Sequence, residues 1–273
     1  MKKTVTAVAL LCALSSTAIA PTFAADDDEA ARLKAIEEYR KQIADGNPSD
    51  LLAMEGEELW RTPYGPKNQS LERCDLGLGP GVVKGAAAQL PRYFADTGRV
   101  QDLESRLMTC MEQLQGVKPE AVIDAPWRKG ERARIDRLVA YIVTESNGEK
   151  IAVDLSHPKM KEMYELGKRM FFYRTGPFDF SCATCHGKDG QRIRLQELPN
   201  LTKHEGAAAG WGSWPAYRVS NSQFWTMQMR LNDCFRQQRT AEPIYGSDAT
   251  IALSVYMAAN GNGGVMLTPG IKR

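Results

Sequence analysis

Residues 181–190 read SCATCHGKDG, and within this stretch Cys182, Cys185 and His186 form the pattern C-x-x-C-H. In that pattern the two thiols attach a haem through its vinyl groups, and the histidine that follows binds the iron from the proximal side. A redox dithiol or half of a zinc site is the alternative, but either needs partner residues that the sequence does not offer. The stretch therefore predicts a haem c and a helical domain built around it.

A second motif supports the haem site. Pro199 lies thirteen residues after His186, in the segment ELPNL at residues 197–201. This segment resembles the P-N-L turn of small c-type cytochromes, in which the proline carbonyl fixes the proximal imidazole, and such contacts tune the iron. The alternative is a loop without that role.

The N-terminus has the pattern of a secretory signal peptide. Met1–Lys3 is positively charged, Val5–Ala20 is apolar, and small residues lead to the acidic run Asp26–Glu29. The apolar run is too short to cross a bilayer, which favours a signal peptide at residues 1–24 over a retained membrane anchor. We expect a periplasmic protein, and no later apolar stretch is long enough to form a membrane span.

Removal of this segment would leave a chain without net charge. Loss of Lys2 and Lys3 reduces the 35 basic residues to 33, equal to the 33 acidic residues. Nucleic-acid binding then has no electrostatic support. The remaining 249 residues allow two domains of ordinary size.

Five cysteines remain once Cys12 is removed with the signal peptide. The haem motif uses two, and in an oxidising compartment Cys74 and Cys110 are able to form a disulfide bond. The alternative is that these two are unrelated free thiols. Cys234 is left over, and an odd cysteine in an exported protein is reactive, bound to something, or accidental.

An internal repeat places the odd cysteine. Residues 91–113, PRYFADTGRVQDLESRLMTCMEQ, and residues 215–237, PAYRVSNSQFWTMQMRLNDCFRQ, share six identities at one constant offset. The identical pairs are Pro91/Pro215, Tyr93/Tyr217, Arg106/Arg230, Leu107/Leu231, Cys110/Cys234 and Gln113/Gln237. A repeat of this length predicts two related domains. We place them at residues 25–150 and 151–273, joined by a linker at residues 147–158.

The first domain is predicted to have lost its haem. If the segment CDLGLG at residues 74–79 is laid on C-x-x-C-H-G, the first cysteine and the last glycine are kept. Gly77 then replaces the second cysteine, and Leu78 replaces the histidine. Cys74 and Cys110 would converge where a haem-attaching and a distal cysteine once met, close enough to bond.

The predicted secondary structure is all-α. Apolar residues at helical spacing or helix-ending glycines predict helices at residues 29–45, 100–116, 159–176, 222–239 and 248–261. Ser222 and Asp248 are the expected N-cap residues. Residues 116–130 hold prolines and glycines and are expected to form a loop, and no long alternating run indicates a sheet.

The distal iron ligand decides between an electron carrier and an enzyme. Methionine is the usual distal ligand of electron-carrying cytochromes c. The possible ligands are Met227, Met229, Met257, Met266, His157, His204 and Cys234. We favour Cys234, because it is the odd cysteine and has a counterpart at Cys110; Met227 and Met229 suit packing, and His157 is expected to face solvent.

Arg230 precedes Cys234 by four residues, so on a helix the two share a face. Its guanidinium would favour the thiolate form of Cys234 and bind an anion with its forked geometry. An ordinary surface ion pair is the alternative. Arg218, Arg236 and Arg239 add positive charge nearby. For Arg236 and Arg239 we favour an ordinary surface ion pair over a role in the site.

These residues resemble the SoxA family of c-type cytochromes, over nearly the whole chain after the signal peptide. The resemblance is carried by C-A-T-C-H-G from Cys182, W-P-A-Y-R from Trp214 and R-L-N-D-C-F-R-Q-Q-R from Arg230. It implies that Cys234 is a haem ligand carried as a persulfide and that Arg230 binds substrate. Gly77 and Leu78 depart from the two-haem members, so the chain resembles the single-haem type with a disulfide in the first domain.

The resemblance also implies an activity. SoxA is the catalytic subunit of the SoxAX complex, which joins thiosulfate oxidatively to a cysteine thiol of the SoxYZ carrier. Two electrons would leave towards the haem of SoxX. The alternative function is a periplasmic electron-transfer cytochrome without covalent sulfur chemistry, which a methionine ligand would favour. A partner-binding module with a structural haem is a third possibility.

Overall fold

The computed structural model describes residues 31, 34, 35, 38, 46–193 and 196–272. The predicted signal peptide and most of the helix expected at residues 29–45 lie outside the described residues.

Helices form most of the regular structure in this part of the chain. They are α1 (Ser49–Arg61), α2 (Leu103–Cys110), α3 (Pro119–Ile123), α4 (Gly130–Thr144), α5 (Pro158–Phe172), α6 (Cys182–His186), α7 (His204–Gly212), α8 (Met227–Gln237) and α9 (Asp248–Asn260). A π-helical turn, Met111–Gln115, extends α2, and a 3₁₀ turn covers Ala87–Gln89. None of the described helices combines the length and the apolar character that crossing a membrane requires.

Short strands, which the sequence did not predict, accompany the helices of this mainly helical fold. They are β1 (Arg92–Phe94), β2 (Arg99–Gln101), β3 (Arg192–Ile193), β4 (Gln196–Glu197), β5 (Ala216–Arg218), β6 (Gln223–Trp225) and β7 (Gly270–Lys272). β1 pairs with β2, β3 with β4, and β5 lies between β6 and β7, antiparallel to the former and parallel to the latter. Strands of two or three residues are too short to show the alternation that marks a strand in sequence.

Two helix starts were predicted too early because a hairpin strand precedes each helix. Ser222 is not an N-cap: it adopts a left-handed conformation with φ 50° before β6. The cap of α8 is Thr226, whose hydroxyl accepts from the Met229 amide at 3.3 Å. In the same way Val100 lies in β2, and α2 is capped by Asp102 in a capping box with Ser105.

The other helix limits agree with the sequence to different degrees. The predicted stop at Gly116 is confirmed, since this residue has φ 75° and ends the π turn. α5 ends at Phe172, four residues before the predicted Gly176. The N-cap of α9 is Ser247 rather than Asp248, and the loop expected at residues 116–130 contains α3.

Two helix crossings organise the fold, and each depends on one glycine. α1 packs on α4, and α5 packs on α9. A Cβ atom at Gly56 would stand 2.0 Å from the carbonyl oxygen of Arg137, and one at Gly167 would stand 1.9 Å from that of Ala252. Only a residue without Cβ lets the two backbones approach so closely. Both helix crossings therefore have a glycine at the contact.

The repeat found in the sequence is also present in the hairpins. Tyr93 lies opposite Val100 in the β1–β2 pair, and Tyr217 lies opposite Phe224 in the β5–β6 pair. Each hairpin leads directly into a helix, α2 in the first half and α8 in the second. Equivalent residues of the two repeats therefore occupy equivalent places in the fold.

The two halves share a hydrophobic core. One buried cluster contains Ile135 and Leu138 of α4 together with Ile251 and Val255 of α9, and residues Ile43–Arg273 form one compact unit. The segment at residues 147–158, the expected linker, packs in part against the second half. Ile151 is buried and donates its amide to the Gly264 carbonyl at 2.8 Å. The division at residue 150 stays a prediction.

Cys74 and Cys110 form the expected disulfide bond, with their Cα atoms 5.5 Å apart. Both residues are buried, and the bond joins the loop after α1 to the end of α2. It closes a long stretch of chain, which restricts the unfolded state.

The structure corrects the alignment of Cys74 with the haem motif. A β-bridge between Tyr64 and Gln69 closes a turn that contains Gly-Pro, and Gln69 lies five residues before Cys74. A β-bridge between Thr175 and Phe180 closes a second Gly-Pro turn, and Phe180 lies five residues before Cys185. Cys74 therefore corresponds to the second cysteine of C-x-x-C-H rather than to the first. In this register the first cysteine and the histidine are replaced by Leu71 and Asp75, not by the residues at 77 and 78.

Removal of the disulfide should destabilise the protein. The bonded residues are 36 positions apart, and a loop of this size contributes about 2–5 kcal/mol to stability. The double variant Cys74→Ala/Cys110→Ala should lose that amount of unfolding free energy in non-reducing guanidinium titrations. Its haem absorption spectrum should be unchanged, and an unaltered unfolding midpoint would contradict the expectation.

Candidate functional site

A capping box fixes the short helix that carries the C-x-x-C-H pattern. The Ser181 hydroxyl accepts from the Thr184 amide at 3.3 Å, and the Thr184 hydroxyl accepts from the Ser181 amide at 3.0 Å. This arrangement starts α6 at Cys182 and lets one helical turn carry Cys185 and His186.

His186 is oriented by the turn that the sequence singled out. Its Nδ1 lies 3.0 Å from the carbonyl oxygen of Pro199, and the Leu201 amide donates to the His186 carbonyl at 2.9 Å. Because a carbonyl only accepts, Nδ1 must carry the proton, which leaves Nε2 with a lone pair. Burial lowers the pKa of His186; the hydrogen bond to Pro199 opposes this, and the Arg230 charge adds to it.

The Pro199 turn is held from the opposite side. The side-chain amide of Asn200 donates to Asp189 at 2.8 Å, and its oxygen accepts from the Thr202 amide at 3.1 Å. Lys203 also pairs with Asp189. These contacts keep the proline carbonyl facing His186.

Cys234 in α8 lies close enough to both cysteines of the motif to raise their pKa values. Burial, with the neighbouring Cys234 sulfur as the second cause, raises the pKa of Cys182 to about 12. The same two causes raise the pKa of Cys185, while Arg230 lowers it. The structure therefore brings Cys182, Cys185, Cys234 and Arg230 into one neighbourhood with His186.

Arg230 is held between an aromatic ring and a carboxylate. Its guanidinium carbon lies 5.7 Å from the centre of the Trp214 ring, and its Nη1 lies 3.2 Å from Oδ2 of Asp233. The Arg230 side chain is 22% exposed. A guanidinium that remains accessible and lies close enough to affect the pKa values of Cys185 and His186 is suited to bind a small anion.

The sequence of this chain is similar to those of known proteins. A family model described as the SoxA/TsdA cytochrome c domain matches residues 55–151. Over all 273 residues the chain is 93% identical to the L-cysteine S-thiosulfotransferase subunit SoxA of Hydrogenophilus thermoluteolus, with 100% of both chains covered. It is 39% identical over 227 residues to a SoxA of the same description from Hydrogenobacter thermophilus, covering 83% of this chain and 82% of that one.

The chain belongs to the SoxA family.

The crystal structure of SoxXA from P. pantotrophus has the same fold as this SoxA-family chain. The TM-score is 0.71 at 24% sequence identity, and the match covers 86% of this chain and 84% of that one. The helices and hairpins of this chain therefore form the fold of a chain in that crystal structure.

Three of the other possible ligands of this SoxA-family chain have identifiable packing contacts. Met257 and Met266 are buried in the core. His157 does not simply face solvent as expected: its ring stacks on Tyr93 at 3.7 Å, and its Nδ1 accepts from the Lys159 amide at the start of α5. His204 begins α7.

The neighbouring arginines are placed differently from one another. The Arg218 guanidinium lies 4.6 Å from the centre of the Trp225 ring, and Arg236 pairs with Asp233. Arg239 follows α8 in a left-handed conformation with φ 60°. Sequence reasoning assigned no role to Asp233 or Trp214, although an acidic residue three positions after Arg230 was a signal for the pairing.

Proposed function

We propose that this chain acts as an L-cysteine S-thiosulfotransferase, as its curated relatives are named. It joins thiosulfate to a cysteine thiol of the carrier SoxYZ during sulfur oxidation. The observation that carries the proposal is the convergence of Arg230 and Cys234 on the C-x-x-C-H helix. A plain electron carrier needs no guanidinium beside a cysteine at this place.

The residues fit a haem c. The donor set consists of two cysteines without a disulfide and an imidazole whose Nδ1 carries the proton. An apolar cluster with Phe171 and Leu201 packs against this helix. Cys182 and Cys185 would bind the haem covalently, His186 would ligate the iron, and Cys234 is the proposed distal ligand. When bound, the haem supplies a route for electrons.

Arg230 and Cys234 have separate roles in the proposed reaction. Arg230 binds the thiosulfate dianion through charge-assisted, forked hydrogen bonds. Cys234 is the sulfur nucleophile, carried as a persulfide by analogy with the family. In the overall reaction the terminal sulfur of thiosulfate bonds to the carrier sulfur. The carrier thiol loses its proton, and two electrons leave to a c-type cytochrome partner, for which we propose SoxX.

We further propose that the chain consists of two tandem cytochrome c-like domains after a signal peptide at residues 1–24. Three observations support this proposal: the repeated hairpins, the two glycine crossings, and the family-model match at residues 55–151, which covers the half without C-x-x-C-H. The domains would span residues 25–150 and 151–273. The predicted signal peptide and the disulfide bond support a periplasmic location.

The first domain is proposed to have lost its haem. Its disulfide joins Cys74 and Cys110, the counterparts of the neighbouring Cys185 and Cys234. A cavity of about 430 Å³ lies beside this bond, and charged residues including Arg92 line it. A charged lining is unsuited to a haem face, so we expect one covalent haem per chain.

The test is a conjugation assay with the mature protein and its cytochrome partner. Incubation with thiosulfate, the carrier and an oxidised cytochrome should add one thiosulfate-derived group to the carrier cysteine, seen by mass spectrometry. A pyridine haemochrome assay should give one haem per chain. Reduction of a cytochrome partner without any carrier adduct would instead support electron transfer alone.

A further inference from the structure

Asp233 is a buried carboxylate inside the proposed substrate site. It lies in α8 between Arg230 and Cys234 and is 7% exposed. Its Oδ2 accepts from Arg230 Nη1 at 3.2 Å and from Gln237 Nε2 at 2.6 Å. Its Oδ1 accepts from Arg236.

A negative charge at this place needs an explanation. A buried carboxylate is costly unless it is paired, and a carboxylate close to an anion site repels the anion. Here both carboxylate oxygens have partners, and the group Arg230–Asp233–Arg236 keeps a formal charge of +1. The site therefore remains attractive to a dianion in spite of the carboxylate.

Contacts with Asp233 and Trp214 restrict the conformation of the Arg230 side chain. An arginine side chain has many rotamers, and it binds an anion in a forked manner only when its plane faces the ligand. Asp233 engages one terminal nitrogen, Nη1, and the Trp214 ring lies 5.7 Å from the guanidinium carbon. These two contacts restrict the guanidinium, whose charge acts on Cys185 and His186 of the motif helix.

We propose that Asp233 is the positioning residue of the anion site: its carboxylate holds the Arg230 guanidinium in the orientation that binds thiosulfate. The proposal rests on the proposed function, since it assigns Arg230 to thiosulfate. Arg236 and Gln237 fix the carboxylate in turn, and Arg236 offsets its charge. Asp233 does not touch the reacting atoms and is therefore not a catalytic residue.

The direction in which Asp233→Asn changes the KM for thiosulfate distinguishes a positioning role from charge balance. Asp233→Asn keeps the shape of the side chain and removes the negative charge. If Asp233 only balanced charge, the more positive site would bind thiosulfate more tightly and the KM would fall. If Asp233 positions Arg230, the KM for thiosulfate should rise about fivefold or more, while kcat changes less than about twofold, because uniform binding is lost.

The experiment measures thiosulfate-dependent conjugation of the carrier by the haem-loaded protein with its cytochrome partner. It compares wild type, Asp233→Asn, Asp233→Glu and Asp96→Asn. Asp96→Asn is the matched control: Asp96 pairs with Arg106, the counterpart of Arg230, at 2.8 Å in the half without the haem motif. We expect Asp233→Glu to restore part of the affinity and Asp96→Asn to leave the KM unchanged.

Each outcome decides something. An unchanged or lower KM in Asp233→Asn overturns the positioning role, and so does an equal rise in Asp96→Asn. If Asp233→Asn does not fold, a further variant without the carboxylate, Asp233→Ser, carries the test, and a wild-type KM together with a wild-type haem spectrum in that variant overturns the proposal. Failure of the wild type itself to conjugate thiosulfate refutes the proposed function instead.

Discussion

Replacement of Cys234 by alanine should abolish conjugation of thiosulfate to the carrier while the haem stays covalently attached. In our proposal Cys182 and Cys185 in α6 attach the haem, whereas Cys234 lies in α8. Loss of a covalent nucleophile typically costs a thousandfold or more, so we expect a decrease of at least about 10³-fold. Carrier mass spectrometry gives the rate, and electron paramagnetic resonance should show the thiolate-type low-spin signal only in the wild type.

A methionine variant provides the control for this result. Met227 begins α8, on the same helix as Cys234, and a methionine is the usual ligand of an electron carrier. Met227→Leu should keep both the spectrum and the activity, because we assign Met227 to packing. If the spectrum survives in Cys234→Ala and changes in Met227→Leu, the iron is ligated by methionine and the electron-transfer function is the better explanation.

The parts of the fold predicted correctly are those with local signals. The helix at residues 248–261 was found from its apolar residues and its terminal glycine, and Gly116 was correctly predicted to end the π turn that extends α2. The hairpins before α2 and α8 were missed, because strands of three residues have no periodicity. The sequence gives no signal for the roles of Gly56 and Gly167, because each role depends on contact with the backbone of a helix that is distant in sequence.

The candidate site was predictable to the extent that its residues are close in sequence. Arg230 and Cys234 share a helix face at a spacing of four, and His186 follows its cysteines directly. Asp233 was not assigned, because an acidic residue among arginines usually lies on a solvated face and its burial depends on tertiary packing. The haem-motif counterpart of Cys74 was misplaced because Gly79 matched by chance, whereas the Gly-Pro turn fixes the register.

Replacement of Arg230 by lysine should strongly reduce conjugation although the positive charge is kept. Lysine offers a point charge in place of a planar fork, so it loses the bidentate contact with a dianion. A charge-assisted hydrogen bond contributes about 1.5–3 kcal/mol, which corresponds to a loss of about tenfold to a hundredfold in catalytic efficiency. Arg230→Ala should lose more, because the charge that attracts the anion is also removed.

The same substitution should leave the fold intact, and this separates binding from stability. The Arg230 side chain is 22% exposed, and its ion pair lies within one helix, so few packing contacts are lost. The haem spectrum and the melting temperature should stay close to those of the wild type, and Arg239→Lys, just beyond the end of α8, serves as the control with unchanged kinetics. Rates at several thiosulfate concentrations should show the effect in kcat/KM. Full activity in both Arg230 variants would transfer the anion-binding role to Arg218 or Arg239, because the anion still needs a guanidinium close to Cys234.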